Sequence, residues 1–166
     1  MSDEKRPRTF LRTTRSIVVV LLLLGLAGLE TFAIMSDNSV HGLTVRFSYI
    51  SRSCNTTGTQ SILTYLANPV IVYSGNSLPT GITHVTFAMS VGGVMIGTTT
   101  AGDASFGAGQ SASYSLQFTN TTLDPHSEPL TSQVVLSISA LVSAGLFSSQ
   151  VTSSDSQPIQ FPGRAC

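Results

Sequence analysis

Acid–base, nucleophilic or metal chemistry needs proton carriers and ligands that converge, and this chain carries few of either. Its histidines are His41, His84 and His126, and its thiols are Cys54 and Cys166. From residue 36 onward its acids are Asp37, Asp103, Asp124, Glu128 and Asp155. Nucleophilic catalysis requires a base beside the nucleophile, yet the three histidines fall on three separate segments. His41 follows an apolar run, His84 opens a stretch of alternating residues, and His126 sits in Asp124-Pro125-His126. All three read as solvated surface residues. Asp124, His126 and Glu128 are close enough in sequence to meet one metal ion. Pro125 and Pro129 argue instead for a plain loop there. The glycine-rich stretch 102–109 has no lysine and opens no helix, so it is no phosphate cradle. The expectation is a non-enzyme with no catalytic residue, no metal site and no cofactor.

Cys54 and Cys166 make an even count. In an exported chain they are expected to pair, closing nearly the whole domain into one loop; in the chain-entropy model such a crosslink contributes about 4–5 kcal/mol. Two unrelated thiols are the alternative. Asn55-Thr56-Thr57 and Asn120-Thr121-Thr122 fit the N-glycosylation triplet, which makes Asn55 and Asn120 candidate acceptors.

The elements that must position these groups begin with the N-terminus. Lys5, Arg6, Arg8, Arg12 and Arg15 are five of the eight basic residues in the chain. Beyond residue 35 only Arg46, Arg52 and Arg164 remain, and no lysine. That part is mildly acidic and offers no basic face for a nucleic acid. The run 17–29 is apolar or glycine throughout, and after Glu30 and Thr31 it resumes to Met35. Nineteen residues suffice to cross a hydrocarbon core of about 30 Å, and basic residues before the run mark the cytoplasmic side. The rival is a cleaved signal peptide with a 13-residue apolar stretch and Thr31-Phe32-Ala33 as its cleavage site. The expected organisation is therefore a basic cytoplasmic segment at 1–15 and a transmembrane anchor at 16–35. An extracytoplasmic domain fills 36–166, giving a single-pass protein of the cell membrane.

That domain alternates with period two. In Val85-Thr86-Phe87-Ala88-Met89-Ser90-Val91 the larger apolar residues share one strand face. Gly92-Gly93 then suits a tight hairpin that sets Val91 opposite Val94 and Met89 opposite Ile96. The same alternation runs through Leu43, Val45, Phe47 and Tyr49; through Ala112, Tyr114, Leu116 and Phe118; and through Val134, Leu136, Ile138, Ala140 and Val142. Weaker strand signals lie at 61–67 and 159–161, with turn formers such as Pro69, Gly75, Pro79 and Gly81 between runs. This is an all-β reading: about seven short strands in an antiparallel β-sandwich, behind one N-terminal transmembrane helix. Phe87, Met89, Val91, Ile96, Tyr114, Leu116, Phe118, Leu136 and Ile138 are its expected core.

Three stretches carry a family resemblance. They are Leu63-Thr64-Tyr65-Leu66-Ala67-Asn68-Pro69, the hairpin 85–97 with Val91-Gly92-Gly93-Val94-Met95-Ile96-Gly97, and the strand 110–118. On these, residues 44–161 resemble the late-embryogenesis-abundant group 2 family, the WHy-domain proteins. The stretch 70–79 departs from the family's short connection after Asn-Pro. The resemblance implies a seven-stranded immunoglobulin-like or fibronectin III-like sandwich with no catalytic residues to transfer. It also implies a role in desiccation or stress tolerance, exerted by binding and protecting membranes or proteins. Two other roles fit the residues: a structural subunit of a cell-surface coat or filament, or an accessory subunit of a membrane complex. Charge is the usual guard of exposed strands against edge-to-edge pairing. With only 10% charged residues, self-association through sheet edges is a further expectation.

Overall fold

The computed structural model of the chain describes residues 8–57, 60–75, 78–121 and 131–161. It divides into two compact units, 1–35 and 36–166.

The first unit is helical. Helix α1 covers Arg8–His41 and so continues past residue 35 into the second unit. Its stretch Arg15–His41 has a mean hydropathy of 2.5 over its most apolar window. At 1.5 Å per residue those 27 residues reach about 40 Å, which is long and apolar enough to cross a membrane. Leu21, Leu24 and Leu29 are all more than 60% exposed. An apolar surface of this kind is stable only where lipid or protein covers it.

The second unit is β-structure. In chain order its strands are β1 (Thr44–Phe47), β2 (Ile50–Thr57), β3 (Gln60–Tyr73), β4 (Thr80–Val91), β5 (Val94–Thr100), β6 (Ala104–Phe106), β7 (Ser111–Asn120), β8 (Thr131–Ala144) and β9 (Phe147–Gln160). They form two antiparallel sheets. In one, β3 pairs with β7 on one side and with both β1 and β2 on the other. In the second, β4 pairs with β8 on one side and with both β5 and β6 on the other, and β9 lies outside β8. Nine segments are thus found among the described residues where about seven strands were expected. Two pairs of them are halves of interrupted strands: β1 with β2 along β3, and β5 with β6 along β4. The sheets have three and four strand positions.

Both sheets feed one hydrophobic core. From β3 come Leu63, Tyr65, Ala67, Val70 and Val72, and from β4 Ile82, Val85, Phe87, Met89 and Val91. The long β8 adds Val134, Leu136, Ile138, Ala140, Val142 and Ala144. A strand exchanges its faces at each bulge, and the burial phase changes at two of them. Leu63, Tyr65 and Ala67 are odd-numbered but Val70 and Val72 even, because the register shifts between Ala67 and Val70. Asn68 and Pro69, joined by a cis peptide bond, occupy that shift; a residue without an N–H fits where the ladder is interrupted. In β4 the shift between Thr83 and Thr86 holds His84 at φ 53° and turns both Ile82 and Val85 inward.

These bulges account for most departures from the sequence reading. Strand β3 runs on to Tyr73, so 70–73 is strand and not linker. Gly92 and Gly93 make the expected turn with φ of 58° and 84°, and Val91 does pair with Val94. Met89, however, faces Gly97 and not Ile96, since a shift at Met89/Ser90 adds one residue to β5. Ile96 is buried nonetheless, whereas Val94 is exposed. Tyr49 is 60% exposed, because the chain breaks between β1 and β2 and Ile50 takes the inward position. Tyr114 is only partly buried; Phe87, Met89, Val91, Leu116, Phe118, Leu136 and Ile138 are core, as expected.

Candidate functional site

Among the described residues the proton carriers do not gather in one group of three or more. His41 lies in the last turn of α1, where its Nδ1 stands 3.1 Å from Asp37 Oδ1 in an exposed i,i+4 pair. His84 projects from the β4 bulge, and its backbone N–H donates to Asp103 Oδ1 at 3.2 Å. Asp155 lies on β9. His126, Asp124 and Glu128 are outside the described residues, and among those described no three His, Cys, Asp or Glu are placed to hold a metal ion.

Several of these polar groups instead bridge the two sheets at their borders. Strands β1 and β9 belong to different sheets, yet Phe47 N–H donates to Asp155 Oδ2 at 3.2 Å. Gln157 Nε2 donates to Phe47 O at 2.6 Å and to Asp155 Oδ2 at 2.9 Å. One carboxylate and one amide therefore satisfy both backbone groups of the residue where β1 ends. On the other border Asn120 Nδ2, at the end of β7, donates to Ile96 O on β5 at 3.1 Å. Backbone groups at a strand end need such partners. Sequence reading gave Asn120 only the sign of a sequon; its spacing from Ile96 held no hint of this contact.

Asn55 is exposed on β2 and Asn120 half-buried on β7. The register sets them on either side of β3, opposite Ile62 and Leu63. Cys54, beside Asn55, packs against the core and is not a free thiol; Cys166 lies outside the described residues. The last described residue, Phe161, is 1% exposed. Its ring meets Tyr65 edge-on at 5.9 Å, and the Arg52 guanidinium lies 4.6 Å from its centroid.

A concavity lies at the opposite end of the sheets. A cleft of about 480 Å³ is lined by Pro79, Thr80, Ser105, Phe106, Gln110 and Ser143, among others, with no charged side chain. Its wall is the turn in which Gln110 Oε1 accepts from Gly107 N–H at 2.9 Å. Nearby, Tyr114 donates to Gly102 O at 3.4 Å and packs on Phe87. Partial burial raises the Tyr114 phenol above its usual pKa, and the Asp103 carboxylate adds to the effect. A neutral, open cleft can take up an uncharged group.

No family model matches the chain, and no curated protein matches it. Among solved structures, a protein from Archaeoglobus fulgidus matches with 9% identity and a TM-score of 0.37, over 70% of this chain and 98% of that one.

Proposed function

We propose that this protein is a single-pass membrane protein whose β-unit stands outside the cytoplasm and acts by binding, not by catalysis. The observation that carries this reading is the pairing of an exposed apolar helix with a unit in which Asp155, Gln157 and Asn120 serve to join two sheets. Five basic residues ahead of the apolar run orient the N-terminus inward.

The fold type belongs to the same proposal. Counting interrupted strands once, the sheets order as 1-2-5 and 4-3-6-7, the arrangement of a fibronectin III-like sandwich. Together with the resemblance to the late-embryogenesis-abundant group 2 family, this favours protection of membranes or proteins under desiccation as the role. The test is direct. Vesicles carrying the full chain should retain an entrapped dye through drying and rehydration better than empty vesicles. A variant with His41, His84 and His126 changed to Ala and Asp124→Asn should protect equally. Equal leakage with and without the protein would remove the protective role, and loss of protection in a folded variant would remove the non-catalytic one.

Two modifications fit the same location. Phe161 is held beside Arg52, two residues from Cys54 on β2, and five further residues reach about 17 Å. A Cys54–Cys166 disulfide is therefore within reach, and Asn55 stands exposed beside it for a glycan.

A second reading, assembly with further copies or with a membrane complex, is favoured by β9. This 14-residue strand lies at the border of its sheet and carries Asp155 as its sole charge. Its guard against edge pairing is Pro158, which lacks a ladder donor. Native mass measurement after mild extraction separates the two: a filament or defined complex favours assembly, a monomer favours protection alone.

A further inference from the structure

The β8–β9 turn exposes its apolar residues at one particular end of the β-unit. Leu146 is 88% exposed and Phe147 47%, and the turn is set by Gly145 at φ 59°. A hairpin tip in water ordinarily carries polar turn formers. Here the two most prominent side chains are a leucine and a phenylalanine.

The location follows from the register. Ser39, in the last turns of α1, accepts a hydrogen bond from Leu78 N–H at 2.9 Å. Two residues after Leu78, Thr80 pairs with Ala144, the last residue before the turn. The tip therefore lies at the end of the unit where the chain enters it. Ser39 follows Met35, the last residue of the apolar run, by four positions, about 6 Å along a helix. Of the described segments at this end, residues 74–75, 78–80 and 104–110 and the tip itself contain no Asp, Glu, Lys or Arg, whereas α1 carries Asp37 and His41 on either side of Ser39. The uncharged cleft opens among them. Both sequons lie toward the far end, beside Ile62 and Leu63.

We propose that Leu146 and Phe147 insert into the boundary between lipid headgroups and acyl chains, giving the β-unit a second hold on the membrane surface. Leucine and phenylalanine are residues that bury into this boundary, to a depth of about 5–10 Å. The tip itself, residues 143–149, carries no charge whose desolvation would oppose contact; the charge at this end is the exposed Asp37–His41 pair on α1. The inference rests on the anchor reading above, because the apolar run must lie in a bilayer for this end to face one.

The chain has no tryptophan, so an introduced indole reports alone. Leu146→Trp and, as the control in the β4–β5 hairpin, Met95→Trp would be made in the full chain and reconstituted into phosphatidylcholine vesicles. Met95 is 59% exposed and lies near Val91, far along β4 from Thr80. The expected result is a blue-shifted emission for Leu146→Trp, quenched by brominated lipid and shielded from aqueous iodide. Met95→Trp should show the opposite. If both indoles are open to iodide while the protein resists alkaline extraction, the insertion is wrong and the anchor stands. Release of the protein by alkali overturns both. A blue-shifted Leu146→Trp that brominated lipid leaves bright means that protein covers the tip, a second copy included. Equal quenching of both indoles by lipid means that the unit lies flat. Either result overturns the insertion.

Discussion

Phe161 shows how one side chain can hold a chain end. It is buried against Tyr65 under the Arg52 guanidinium. Phe161→Ala removes both ring contacts and leaves a cavity, and the unfolding free energy of the full chain in detergent should fall by about 3–5 kcal/mol. A loss below about 1 kcal/mol would mean that the end of β9 is not fastened there. Tyr114 has a pH signature. Its phenol is raised by burial and then by Asp103, so an unfolded tyrosine ionises first as pH climbs. The stability it supports is complete below the ordinary value of about 10 and is lost as pH rises beyond it. Asp103→Asn keeps an oxygen for His84 N–H but removes the charge. Tyrosinate absorbance, referenced to Tyr114→Phe, should then show the midpoint moving down toward the ordinary value; an unmoved midpoint contradicts the assigned cause. Little of this was legible in sequence, because Arg52, Tyr65 and Phe161 are remote from one another and nothing in their spacing pairs them.

Between elements, a close backbone approach joins the end of α1 to Gly75, just after β3. A Cβ on Gly42 would lie 2.6 Å from Asn38 O and 2.8 Å from Gly75 Cα; one on Gly75 would lie 2.5 Å from Asn38 O and 2.8 Å from Ser39 Cα. All these atoms are backbone, so nothing flexible can yield. Gly75→Ala should cost about 1–3 kcal/mol on thermal unfolding of the full chain, and a neutral result would mean that the two segments do not touch. Leu116→Ala and Ile138→Ala, in opposite sheets of one core, should each cost about 2–5 kcal/mol. The strands legible in sequence were those whose alternation keeps one phase over six or more residues, as in 85–91, 112–118 and 134–142. Strand β3 was half legible, since the bulge at Asn68-Pro69 switches its phase and resembles a strand end. Strands β2 and β9 were the hardest to see. They lie at sheet borders, and β9 buries little beyond Val151, so Ser, Thr and Gln fill it without contrast between its faces. The short β6 hid in a glycine-rich stretch.

For the whole molecule, the segregation of charge and apolar character along the chain carries more than any single side chain. Basic residues gather before the apolar run, that run exposes its leucines, and the β-unit from residue 36 has no lysine. That asymmetry was readable from the sequence. The bridging of sheet borders by Asp155, Gln157 and Asn120 became visible only once the register brought distant strands side by side. The central claim is that the β-unit is held outside the cytoplasm by one membrane-crossing helix. Protease protection in intact cells expressing the chain with an N-terminal tag tests it most directly. Added protease should remove the β-unit while the tag survives until the membrane is permeabilised. Loss of the tag with an intact β-unit, or protection of both in intact cells, would contradict the account.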